Sequence, residues 1–234
     1  MGSINLPIFP CMQIAQQKNL KFFLSTLVLF VAFLAIFFNA TGKTAFFIVL
    51  KPLTTILILL FAVFFGIRKN KFYTWVIMAL IFCLAGDILL IREAYFIWGL
   101  VAFLIAHLCF SLSFISLGGF KLYFIPLILL LLFGISYYWM IYNGLQGLKI
   151  PVLIYFIVIL FMGWQGISLR VWKNELPYKL IFVAVLLFIT SDTLLGWAKF
   201  KSPFPWDGVL ILATYWISIF LIALATTIER TKPH

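Results

Sequence analysis

The chain has 234 residues, of which 65% are hydrophobic and 10% charged, whereas a soluble domain carries about 25% charged residues. So few polar side chains cannot build a water-facing surface, so lipid solvates the outside and each backbone polar group finds its partner within its own helix. The formal charge of +11 does not point to nucleic acid, because the lysines and arginines stand in ones, twos and threes at the ends of apolar runs, as topology signals do.

Eight runs lie near the roughly 20 residues that cross a hydrocarbon core: 22–38, 45–66, 73–91, 95–117, 122–142, 151–169, 178–197 and 206–227. They predict an all-α polytopic bundle of eight transmembrane helices, a single integral membrane domain over 1–234. The first run is longer than a signal-peptide core and lacks a clean small-residue cleavage site, so it is expected to be retained. The Asn39-Ala40-Thr41 that follows matters as a glycosylation acceptor only in a eukaryotic secretory route. The second run opens on Lys51-Pro52-Leu53, and the third holds Asp87 within Ala85-Gly86-Asp87-Ile88-Leu89-Leu90. The fourth carries His107 near its middle. The sixth opens on Lys149-Ile150-Pro151-Val152, the seventh holds Asp192 within Thr190-Ser191-Asp192-Thr193-Leu194-Leu195, and the eighth carries Tyr215. The two aspartate segments are 105 residues apart, and with the paired Lys-Pro openings they suggest a four-plus-four duplication in parallel orientation.

One side of the membrane holds both termini and Lys18, Lys21, Arg68, Lys69, Lys71, Lys121, Arg170, Lys173, Lys179, Arg230 and Lys232, while the other holds Lys43, Arg92, Lys149, Lys199 and Lys201. Both termini are therefore expected on the cytoplasmic side, in the inner membrane if the source is bacterial. The basic edge would also attract anionic lipid headgroups. Short loops place the working parts within the bilayer. Trp98, Trp197, Phe204 and Trp206 read as an interfacial belt.

An ionised carboxylate at membrane depth costs roughly 2.5 to 3.5 kcal/mol, so such groups face polar cavities and mark function. Asp87 and Asp192 qualify, whereas Glu93, Glu175, Asp207 and Glu229 fall in loops or at span ends. Counting about 1.5 Å per residue, both aspartates sit on the order of 10 Å below the boundary opposite the termini, with Lys51 level with them and Tyr215 slightly deeper. Two carboxyls brought together out of water favour one proton between them, so an acid and a base coexist. The blander alternative is a buried ion pair of Lys51 with one aspartate that fixes helix packing. His107 could shuttle a proton or simply bond a neighbouring helix. Gly86 and Ser191 are small enough to let another helix or a lipid approach each acid. Cys11, Cys83 and Cys109 lack a paired spacing and read as apolar packers. With only His107 and His234 as histidines, a zinc site is disfavoured and no metal or cofactor is expected.

Lys51-Pro52, Ala85–Leu90, the segment from Trp98 to His107, Ser191–Leu195 and Thr214-Tyr215-Trp216 together resemble the lysoplasmalogenase family, the YhhN-like membrane proteins, from about residue 40 onward. Phe110 and Ile219 depart from the aromatic hydroxyl and the glutamine often found there in the family. The resemblance implies a hydrolase that cleaves the vinyl-ether bond of a lysophospholipid with water, giving a fatty aldehyde and a glycerophospho-base. On that implication one of Asp87 and Asp192 donates the proton and the other stabilises the cation and orients water, their order left open. Lys51 would tune the pair or bind phosphate, and Tyr215 and His107 would complete the pocket. Three other classes compete: a proton-coupled transporter of a small amphiphile, which also uses repeats and intramembrane acids, an intramembrane aspartyl protease, and a non-enzymatic scaffold. Oligomeric state is not legible.

Overall fold

The computed structural model describes residues 9–68 and 70–228, with side chains from residue 16. Lys69, Glu229, Arg230, Lys232 and His234 lie outside the described residues, as does the Cys11 side chain. The fold is all-α: α1 (Phe9–Ala40), α2 (Thr44–Phe65), α3 (Lys71–Leu89), α4 (Phe96–Gly118), α5 (Phe124–Ile141), α6 (Lys149–Trp172), α7 (Leu176–Phe200) and α8 (Asp207–Ala225). All eight are long and apolar enough to cross a membrane. The predicted spans agree with these ends to within three residues, except at the start of α1. That helix is already present at Phe9, the first described residue, and not only from residue 22, because helical hydrogen bonding continues through polar Gln16, Gln17 and Lys18 where hydropathy does not.

The helix ends follow local chemistry. Asn70 accepts a hydrogen bond from the Tyr73 backbone N–H at 2.8 Å and caps α3. Pro177 stands in the first turn of α7, where its missing N–H costs nothing. Pro52 lies inside α2, directly after Lys51, and removes one intrahelical bond at that level. Hydroxyls within the spans turn back onto their own helices, as when Thr54 donates to the Leu50 carbonyl at 2.9 Å and Ser111 to that of His107 at 2.8 Å.

The neighbour relations close a ring in the order α2, α3, α4, α6, α7, α8 and back to α2. Outside it, α1 leans on α2 and α8, and α5 leans on α6 and α7. The two halves thus repeat the same order, three helices of each forming half the ring and the first helix of each standing outside. Close approach of α3 and α4 is possible because both bury small residues, Ala79, Cys83 and Gly86 on one and Gly99, Ala102 and Ala106 on the other. The lipid-facing surface is apolar, as Ile125, Ile135 and Trp139 of α5 show. Asp87 of α3 and Asp192 of α7 both stand in the second half of their helices, where neighbouring helices of the ring meet them.

Candidate active site

Asp87 stands in the last turn of α3, its side chain only 2% exposed. Its Oδ2 accepts hydrogen bonds from the Thr55 hydroxyl of α2 at 2.5 Å and from the Tyr215 hydroxyl of α8 at 2.9 Å. The Lys51 ammonium, one helical turn from Thr55, lies 3.8 Å from Oδ1. Trp216 extends the group by donating its indole N–H to Thr55 at 3.3 Å. This carboxyl is closed in, with a cation and two hydroxyl donors committed to it.

Asp192, on α7, is placed differently. Its Oδ2 accepts from the Tyr155 hydroxyl of α6 at 2.5 Å, and the Nε2 of His107, from α4, stands 3.6 Å away. Among the described residues both ring nitrogens of His107 are buried without a hydrogen-bond partner, which leaves the ring one short movement from the carboxylate. The Asp192 side chain is 12% exposed. It lines a narrow crevice of about 30 Å³ between α4, α6 and α7, with Leu100, Val152, Phe156 and Gly196 among its walls. Phe96 and Phe200 close the outer end, their rings edge to face at 5.9 Å.

Among the described residues the two carboxyls share no hydrogen-bond partner. Aromatic rings lie between the groups: Tyr215 packs 5.6 Å from Phe188, Phe188 4.7 Å from His107, and His107 5.2 Å from Tyr155. The structure therefore gathers Lys51 and Tyr215 around Asp87, and His107 with Tyr155 around Asp192. The cross-connections follow the order of the two halves. Each acid takes a hydroxyl from the preceding helix of its own half, Thr55 or Tyr155, and meets the last helix of the opposite half, through Tyr215 or His107.

Several residues around the acids had no signal in the sequence. Thr55 and Tyr155 sit in apolar runs that look like any other span, and Phe188 is one of 28 phenylalanines. Tyr155 could have been found by aligning the two halves on their Lys-Pro openings, which brings it within a residue of the position of Thr55. Gly86 packs against the Phe103 ring, and Ser191 donates to the Ile211 carbonyl at 3.0 Å. Each small residue thus seats a neighbouring helix. Trp98 and Trp206 are exposed as a belt requires, but Trp197 packs onto a second apolar cluster around Tyr137 and Phe156, because α7 continues to Phe200 beneath the α5–α6 connection. Phe110 and Ile219 are fully buried core residues.

Phe103 stands edge to face with Tyr215 at 5.6 Å, so the space at Gly86 controls the placement of a ring that holds Asp87. A Cβ on residue 86 would come within 2.5 Å of Phe103. Gly86→Ala is expected to destabilise the bundle by about 1–3 kcal/mol, read as a lowered unfolding temperature in detergent. An unchanged transition would show that the ring gives way freely.

Comparison with known proteins gives a consistent picture. The sequence pattern of the YhhN family matches residues 46–226. The chain is 30% identical over 169 residues to the lysoplasmalogenase TMEM86A of Bos taurus, covering 68% of each chain. It is 28% identical over 180 residues to the lysoplasmalogenase TMEM86B of Mus musculus, covering 75% of this chain and 72% of that one. To the protein of Escherichia coli O6:H1 described as uncharacterized membrane protein YhhN it is 30% identical over 177 residues, covering 74% of this chain and 84% of the other. No solved structure matches it.

Proposed function

Starting from the fact that this chain belongs to the YhhN family, we propose that it is a membrane hydrolase that cleaves the vinyl-ether bond of lysoplasmalogens, with Asp192 as the group facing the substrate. The observation that carries the assignment is the contrast between the two acids. Lys51 and two hydroxyls commit Asp87 to a closed site and hold it as a fixed anion. Asp192 has no lysine or arginine partner among the described residues and opens on an apolar crevice. That is the place for an acid that gives up and regains a proton. The lysoplasmalogenase names of the mammalian relatives point to the same reaction.

The chemistry needs few parts. A vinyl ether, R–CH=CH–O–R′, is cleaved by proton transfer to the carbon remote from oxygen, which leaves an oxocarbenium ion. The Asp192 carboxyl supplies that proton, and the carboxylate left behind lies against the cation, as a carboxylate does in glycoside hydrolysis. Water then adds to the carbon bearing oxygen, Asp192 recovers a proton from it, and the hemiacetal collapses to R–CH2–CHO and HO–R′. Tyr155 holds the carboxyl in place through Oδ2, and Oδ1 takes part in neither of the two contacts. His107, with both nitrogens unpartnered, stands where it can orient the incoming water. The excess of lysines and arginines on the side of the termini supports cytoplasmic termini, in the inner membrane of a bacterial source, with the acids in the outer leaflet.

Carbon protonation has a signature that bond cleavage alone does not. Turnover of a lysoplasmalogen in D2O is expected to place one deuterium on the carbon next to the aldehyde carbonyl, whereas monoacyl and alkyl-ether lysolipids of the same chain length stay intact. Release of undeuterated aldehyde, or equal attack on the alkyl ether, would remove this mechanism. An intramembrane protease holds one water between two carboxyls, and the separate surroundings of Asp87 and Asp192 do not favour that arrangement.

A further inference from the structure

The crevice beside Asp192 continues outward. Between α4 and α6 runs an apolar groove of about 250 Å³, lined by Val101 and Leu104 on one wall and Ile150 and Ile154 on the other. Leu100 and Tyr155 belong to both spaces. Tyr155 is also the residue that donates to Asp192, so the groove and the acid meet at one side chain. Val101, Ile150 and Ile154 are exposed on the lipid-facing surface.

A second groove, of about 220 Å³ between α1 and α8 around Phe33 and Ile217, is just as apolar. It meets no acid, because the indole of Trp216 at its floor is turned to Thr55. Lys149 stands at the outer end of the first groove, directly before Ile150 and 4.2 Å over the Tyr142 ring. Lys199, 5.0 Å over the Phe96 ring that closes the crevice, is already paired with Glu93 at 2.6 Å.

We propose that the α4–α6 groove is the lateral portal and seat of the substrate's single hydrocarbon chain. The chain slides in from the bilayer, its phosphate stays at Lys149 on the rim, and the double bond stops at Tyr155 beside Asp192. The occupant is a one-chain phospholipid because the groove is apolar along its length, cationic at the rim and joined to the acid at one point. Lipid tails are as apolar as the groove walls, so moving a chain from one to the other gains little hydrophobic energy. What the groove supplies is orientation, and its loss acts on turnover by misplacing the reacting carbon. The identity of the reaction rests on the reading given above; the seat for the chain does not.

The test uses the full-length protein in nanodiscs and an uncleavable alkyl-ether lysophospholipid carrying a diazirine in its chain. Photolabelling of Val101, Leu104 and Ile154 is expected to saturate and to be displaced by unlabelled lysoplasmalogen, while labelling around Phe33 and Ile217 rises in proportion to probe and is not displaced. Equal behaviour at the two grooves, or undisplaced labelling at α4–α6, would overturn the proposal. In parallel, Leu104→Trp and Ile154→Trp are expected to lower aldehyde release at least ~10-fold, and Ile217→Trp to leave it unchanged. Displaceable labelling without vinyl-ether cleavage would keep the seat and discard the reaction. Cleavage with undisplaced labelling would do the reverse.

Discussion

Asp192→Asn is expected to reduce aldehyde release from lysoplasmalogen by about 10²- to 10⁴-fold, the range that a positioned general acid contributes, while the bundle unfolds at nearly its original temperature. Asparagine has the same shape and keeps a carbonyl oxygen to accept from Tyr155, so the 2.5 Å contact to α6 retains its acceptor. What disappears is the proton and the negative charge that follows its transfer. Asp87→Asn removes the charge that faces Lys51 but keeps an acceptor for Thr55 and Tyr215, and it should slow turnover less, because that carboxyl does not line the crevice. Rates and thermal transitions measured on the same preparations decide the matter. Near-normal turnover by the Asp192 variant would take that residue out of the mechanism, and a greater loss in the Asp87 variant would reverse the assignment of the acids.

The second large effect concerns stability. Lys51→Met leaves Asp87 charged, buried and without its cation, and removing one member of a buried pair costs about 3–5 kcal/mol. The opposite change, Asp87→Asn, is expected to cost less. Lys51 lies only seven residues from the start of α2, and a lysine stem can carry its ammonium toward the interface. Combining the two should recover most of the loss caused by Lys51→Met, so that the double variant resembles Asp87→Asn alone. Unfolding in mixed micelles would measure this as a coupling energy. Strictly additive effects would mean that the 3.8 Å approach contributes nothing to folding.

The separation of the acids also bears on how the fold came to hold them. A duplicated four-helix unit would give each half its own acid on its third helix, and a closed ring needs each half to lean on the other. Thr55 and Tyr155 serve within a half, while Tyr215 and His107 cross between halves. Of the crossing pair, one helix brings a hydroxyl that bonds its acid and the other an imidazole that stops 3.6 Å short. One half thus holds a closed ion-pair site and the other an open acid beside a lipid-facing groove.

Composition and hydropathy by themselves settled the all-α membrane class, the number of spans and, apart from the start of the first, their ends to within three residues, because the length of a helix that crosses hydrocarbon is set by the bilayer. The presence of Asp87 and Asp192 inside spans was equally legible, since a carboxyl among so many apolar neighbours stands out. The rotation of each helix about its own axis was not. In a soluble helix the polar face marks the outside, but in a bilayer both lipid and protein interior are apolar, so periodicity carries little information about which side faces in. Only the tertiary structure could therefore turn Tyr155 toward Asp192, place Thr55 and Trp216 behind Asp87, set the rings of Phe188 and Tyr215 between the two sites, and leave a groove between α4 and α6.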